Sequence, residues 1–113
     1  MTLRLGEQDY VLNIEAMCFY DFFKEKTGQD YFEFLGTVSK NLSGTKDFIQ
    51  AVVYAGMMAH SEISETNHTL SKEEVDKHIR RLRPQDINKI MGDYNSLQET
   101  EKEGEPEGQA GNL

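Results

Sequence analysis

The chain has 113 residues, of which 37% are hydrophobic, and its formal net charge at pH 7 is −8. This length suits one domain with a modest core. The acidic balance argues against a partner that presents a phosphate backbone, so we expect no nucleic-acid binding and look instead to protein partners, basic peptides or simple solubility.

The cysteine content and the hydropathy indicate where the protein works. Cys18 is the single cysteine and cannot form an internal disulfide, which fits a reducing compartment. The N-terminus lacks the basic start and apolar run of a signal peptide, and no apolar run reaches the roughly 20 residues of a membrane span. We therefore expect a cytoplasmic protein without membrane contact.

The first predicted element is a short β-hairpin over residues 2–12. Leu3 and Leu5 alternate with polar residues, residues 6–9 form a polar turn, and apolar residues return at 10–12. A lone hairpin is marginal in water, so it should pack on the helices or pair with another chain.

An aromatic-rich helix is predicted next, with Asn13 as its N-cap and Gly28 as a left-handed C-terminal end. Helical spacing predicts an inward stripe formed by Ile14, Met17, Cys18 and Phe22 and widened by Phe19 and Phe23. Four aromatic residues at positions 19, 20, 22 and 23 exceed what a narrow stripe needs. Core packing explains most of them, and an interface is the alternative for one or two.

A second short helix is predicted after Asp30, over residues 31–42, with Phe32, Leu35 and Val38 facing inward. The central helix, residues 45–59, follows with Thr45 as its predicted cap. It is apolar nearly all round, which predicts burial on more than one side.

Gly56 lies inside the central helix, where glycine costs about 1 kcal/mol relative to alanine. The position therefore predicts close approach of another backbone or of a bulky ring. The functional alternative is a shallow partner groove lined by Met57 and Met58, because methionine adapts to varied apolar surfaces.

The last part of the chain reads as a polar loop over 60–70, with Ile63 against the core, followed by two helices. Ser71 and Glu74 have the spacing of a capping box, and Pro84 suits the first position of the final helix. The inward positions of these helices are predicted at Val75, Ile79, Leu82, Ile87, Ile90, Met91, Tyr94 and Leu97.

The predicted fold is mainly α: a small bundle of four to five helices with a short N-terminal β-hairpin and a disordered acidic C-terminal tail. The domain covers residues 1–97. Residues 98–113 contain almost no apolar side chains and carry five glutamates, which is typical of a disordered segment.

No catalytic constellation is visible in the sequence. His60, His68 and His78 lack metal-ligand spacing, and no glycine-rich loop has phosphate-binding spacing. Helices 71–83 and 84–97 superficially suggest a helix-turn-helix, but the joint is too tight and the surroundings are too acidic. We expect no enzymatic activity, no cofactor and no metal.

Three motifs, in order, resemble those of the tail assembly chaperones of long-tailed, siphovirus-like bacteriophages or prophages. They are KTGQDYFEFL, DFIQAVVYAGMMA and LSKEEVDKHI, and the most diagnostic pair is Tyr54-Ala55-Gly56 followed by residues 70–75. The resemblance covers residues 2–97. Met57 departs from it, because leucine is commoner after the glycine in that family.

The resemblance implies a non-enzymatic protein that binds the tape-measure protein, keeps it soluble and helps recruit tail-tube subunits. It also implies self-association into a homo-oligomer, and a site in the cytoplasm of the bacterial host rather than in the mature virion. The alternatives are a structural virion component such as a head–tail connector protein, and a small regulatory protein-binding module. The residues predicted to bind the partner are Phe19, Tyr20, Phe23, Tyr54, Gly56, Met57 and Met58.

Overall fold

The computed structural model describes the backbone of residues 1–103 and the side chains of residues 1–97. An antiparallel hairpin precedes the helices, with Thr2 paired to Val11 and Leu5 to Gln8. The elements are β1 Thr2–Leu5, β2 Gln8–Val11, α1 Met17–Thr27, α2 Tyr31–Thr37, α3 Leu42–Ser64, α4 Lys72–Arg80 and α5 Pro84–Glu103. The predicted fold class, mainly helical with an N-terminal hairpin, is confirmed.

Helix α3 runs through the centre of the molecule and is buried on two sides, as its nearly uniform apolar surface predicts. One side packs against the hairpin, α4 and α5, and the other packs against α1, α2 and α5. The first cluster contains Leu5, Tyr10, Leu12, Ile49, Val53, Tyr54, Met57, Val75, Ile79, Ile87 and Ile90. The second contains Ile14, Phe19, Phe23, Phe48, Ala51, Val52, Ala55, Ala59 and Tyr94.

Gly56 is the point at which the chain leaving β2 touches α3. A Cβ atom at Gly56 would lie 2.8 Å from Leu12 Cβ and 3.4 Å from Leu12 Cα. The backbone N–H of Asn13 donates a hydrogen bond of 2.9 Å to the Gly56 carbonyl. The prediction of close backbone approach at this glycine is confirmed, and Leu12 fills the space in which a groove would have opened.

The predicted start of the first helix is wrong. The Asn13 side chain accepts hydrogen bonds from the backbone N–H groups of Glu15 and Ala16, at 3.0 and 3.1 Å, but α1 begins only at Met17. Asn13 thus forms a turn rather than a helix cap, because its own backbone is tied to α3.

The predicted bounds of the central helix are also wrong. Asn41, rather than Thr45, is its N-cap, and its side chain accepts a hydrogen bond of 3.0 Å from the N–H of Gly44. At the other end α3 continues to Ser64, so residues 60–64 of the predicted polar loop are helical. Helix α2 is shorter than predicted and ends at Thr37.

The other helix ends predicted from local capping residues are confirmed. Asp30 and Ser71 each form a capping box, Pro84 opens α5, and Gly28 ends α1 in the left-handed region at φ 81°. The predicted inward residues of α4 and α5 are buried or half-buried. Three apolar residues predicted to face the core are exposed instead: Met17 at 82%, Phe32 at 75% and Ile63 at 57%.

The proposed C-terminal tail lies mostly outside the described residues. The backbone of α5 is helical as far as Glu103, beyond the predicted domain end at residue 97. Residues 104–113 are not among those described, so the expectation of disorder there stays a prediction.

Replacing Gly56 with alanine is expected to destabilise the fold by about 1–3 kcal/mol, because the new Cβ cannot fit against Leu12 without a shift of the backbone. Gly92→Ala is the matched control. Gly92 is an exposed glycine in α5, with no described atom within 4 Å of an added Cβ. That control should stabilise the protein by about 0.5–1 kcal/mol.

Urea unfolding of both variants measures the difference in the free energy of unfolding. Equal stabilities of Gly56→Ala and the wild type would contradict the close contact between α3 and the chain that leaves β2.

Candidate functional site

The residues predicted to bind a partner lie mostly inside the fold. Phe19, Phe23, Tyr54, Gly56 and Met57 are all buried. A partner could reach these five only if the core opened, so that part of the prediction stays untested.

The other two predicted residues are more accessible. Met58 is half-buried and packs against the first core cluster. Tyr20 is 39% exposed and packs edge-on against Phe19 at 5.3 Å between ring centroids. Tyr20 is therefore the most exposed of the residues predicted to bind a partner.

Tyr20 belongs to a larger exposed surface, which we name the α1–α2 patch. Its apolar members are the exposed Met17, Tyr20 and Phe32 and the half-buried Tyr31. Its acidic rim is Asp21, Asp30 and Glu33. Met17 and Tyr20 are one helical turn apart on α1, so they share a face. Helical spacing places Met17 and Phe32 on the predicted inward faces, so the sequence does not identify either one as a surface residue.

The start of α2 explains why Phe32 points outward. The Tyr31 hydroxyl bonds to the Tyr94 hydroxyl of α5 at 2.6 Å, which turns Tyr31 toward the core. The next residue on a helix lies about 100° further round, so Phe32 faces away from that contact. The adjacent pair Tyr31 and Phe32 on a short helix indicates that one of the two rings is exposed, but the sequence does not tell which one.

The turn between α1 and α2 is held by local hydrogen bonds. The Thr27 hydroxyl donates to the Gln29 carbonyl at 2.8 Å, and the Gln29 N–H donates back to the Thr27 hydroxyl at 3.1 Å. Asp30 Oδ1 then accepts from the Glu33 N–H at 2.9 Å, and Glu33 Oε1 accepts from the Asp30 N–H at 3.2 Å. These bonds fix two carboxylates of the rim beside Phe32.

The C-terminal end of α1 is also tied to α3 and α4 by polar contacts. The Tyr54 hydroxyl donates to Glu25 Oε2 at 3.0 Å, and Lys72 lies 3.5 Å from the same carboxylate. Lys26 pairs with Asp76 at 3.2 Å, with exposed side-chain fractions of 14% and 25%. The pKa of Tyr54 is raised to about 12, mainly because burial removes water from the hydroxyl and secondly because the hydroxyl donates its hydrogen bond to Glu25.

Among residues 1–97, no three His, Cys, Asp or Glu side chains lie close enough together to hold a metal ion. Burial and the neighbouring Glu62 carboxylate raise the pKa of the Cys18 thiol, which disfavours the reactive thiolate. His68 stacks on Tyr10 at 4.5 Å, which gives it a packing contact with the hairpin.

In the part of the chain that the structure describes, no helix combines the length and the apolar character needed to cross a membrane. Comparisons with protein-family models, with curated proteins and with solved structures found no match to this chain.

The raised pKa of Tyr54 predicts a loss of stability at high pH. The folded value of about 12 lies above the value of about 10 expected for an unfolded chain. The contribution of Tyr54 to the free energy of unfolding is therefore complete below pH 10. It falls as the pH rises toward 12, because Tyr54 loses its proton in the unfolded state before it does so in the folded state. Tyr54→Phe should make this decline shallower.

Urea unfolding of the wild type and of Tyr54→Phe at several pH values between about 9 and 12 checks the prediction. Parallel curves for the two proteins would mean that Tyr54 titrates alike in the folded and unfolded states.

Proposed function

We propose that this chain is a non-enzymatic tail assembly chaperone of a long-tailed bacteriophage or prophage. In this role it binds the tape-measure protein in the cytoplasm of the bacterial host, keeps that protein soluble and helps recruit tail-tube subunits. It self-associates during assembly and leaves before the mature virion forms.

The observation that carries the proposal is the α1–α2 patch. A protein that holds apolar segments of another chain in solution needs an exposed apolar surface and must itself remain soluble. Phe32 and Met17 are 75% and 82% exposed, although buried positions elsewhere in the fold accept such side chains. The acidic rim and the net charge of −8 keep this surface soluble.

The motifs behind the resemblance also have clear structural roles, and this supports the proposal. Gly56, in the YAG motif, is the contact point between α3 and the chain that leaves β2. Ser71 and Glu74, in the LSKEEV motif, form the capping box of α4. The remaining motif, KTGQDYFEFL, carries Asp30, Tyr31, Phe32 and Glu33 of the patch. The resemblance therefore includes both scaffold positions and part of the patch.

Co-expression with the tape-measure protein of the same phage tests the proposal. The soluble fraction of the tape-measure protein should rise several-fold when this chain is present, and the two proteins should co-purify. The double variant Met17→Gln/Phe32→Gln should lose this effect, because it removes apolar area from the patch while glutamine preserves helix propensity.

Leu42→Gln is the matched control, since Leu42 is 43% exposed on α3 and does not line the patch. Unfolding curves should show that all variants are folded. Equal insolubility of the tape-measure protein with and without this chain, and no complex, would overturn the proposal. Finding the chain by mass spectrometry in purified particles would favour a structural virion component such as a head–tail connector.

A further inference from the structure

We propose that the α1–α2 patch binds one face of an amphipathic helix whose apolar stripe is flanked by lysine or arginine. The identification of that helix as part of a tape-measure protein rests on the proposed function. The chemistry of the bound segment follows from the patch itself.

The centre of the patch supplies a continuous apolar surface. The Tyr20 and Tyr31 rings meet edge-to-face at 5.4 Å between centroids, and Tyr31 meets Phe32 at 5.3 Å. Met17 lines the same depression. These contacts join apolar side chains of α1 and α2 into one surface on which the apolar face of a helix can pack.

A helix suits the patch better than an extended peptide does. The patch lies on α1 and α2, so it offers no free strand edge to which an extended backbone could donate its hydrogen bonds. A helix satisfies its own backbone groups internally and presents only side chains. The adaptable contacts of methionine and aromatic rings then accept varied apolar residues at the interface.

The rim of the patch determines the charge of the partner. All three charged residues that line it are acidic, and none of them forms an ion pair with the described residues. Asp30 and Glu33 are held by their reciprocal capping bonds, so a cation that approaches meets carboxylates already in place. Lysine or arginine beside the apolar stripe would pair with them.

The same charges disfavour a second copy of this chain as the occupant. A second copy that docked through the same surface would bring another acidic rim against this one. Like charges brought together at an interface oppose binding, whereas a basic helix is attracted from a distance. The patch therefore selects a basic partner and rejects itself.

Fluorescence anisotropy with labelled model peptides tests the inference without the tape-measure protein. The peptides of about 18 residues share one apolar stripe at helical spacing and differ in their flanks, which are lysine in one and glutamate in the other. The full chain should bind the lysine peptide at least tenfold more tightly, and rising salt should weaken that binding.

Two sets of variants separate the rim from the centre. Asp21→Asn/Glu33→Gln should weaken binding of the lysine peptide about three- to tenfold and flatten its salt dependence, since each exposed charge pair contributes modestly. Glutamine at position 33 keeps the capping box. Glu7→Gln/Asp47→Asn is the control: it removes the same charge at exposed positions outside the patch and should have little effect.

Phe32→Gln should abolish binding of the lysine peptide, whereas Leu42→Gln should not. Three outcomes would each overturn the inference. They are equal affinity of the wild type for the two peptides, no peptide binding by the folded protein, and equal losses of peptide affinity in the rim variant and its charge control. So would a wild-type dimer that Phe32→Gln converts to a monomer, because a second copy would then occupy the patch. Peptide binding without any effect on the tape-measure protein would instead overturn the proposed function alone.

Discussion

The contact between Gly56 and the chain that leaves β2 positions most of the molecule. Leu12 lies so close to α3 that a Cβ atom added at Gly56 would be 3.4 Å from the Leu12 Cα atom. The backbone N–H of Asn13 donates a hydrogen bond of 2.9 Å to the Gly56 carbonyl. The hairpin is thereby held against the central helix, which a lone hairpin requires for stability. The turn at Asn13 then directs α1 along the opposite side of α3, with Met17 at its exposed beginning.

Local chemistry made much of this fold predictable. Capping boxes at Asp30 and Ser71, the proline that opens α5 and the glycine that ends α1 depend on residues within a few positions of one another. The role of Asn13 cannot be read from its neighbours, because the same side chain can form a turn or cap a helix, and the choice depends on α3. The close contact at Gly44 is equally invisible to spacing rules, because an added Cβ there would overlap the carbonyl of Ser39.

The candidate site was less predictable than the fold. Core packing accounts for most of the aromatic surplus on α1, with an interface as the alternative for one or two rings, and the sequence does not tell which rings face the core. On α2 the orientation depends on the bond between Tyr31 and Tyr94, residues that are 63 positions apart in the chain. Once Tyr31 is turned inward, Phe32 is turned outward. Phe19 and Phe23 are buried by α3, whose position relative to α1 is a tertiary fact.

Charge resolves the conflict between exposing an apolar surface and staying in solution. An apolar patch without charges would favour association with any exposed apolar surface, including a second copy. An acidic rim adds a repulsive element against like-charged surfaces and an attractive one toward basic segments, which is how interfaces acquire specificity. Exposed charge pairs each contribute little, so binding at one patch stays weak. Under the proposed function, many such weak sites along a long helical partner would hold it through avidity, and each would be easy to release when tail-tube subunits arrive.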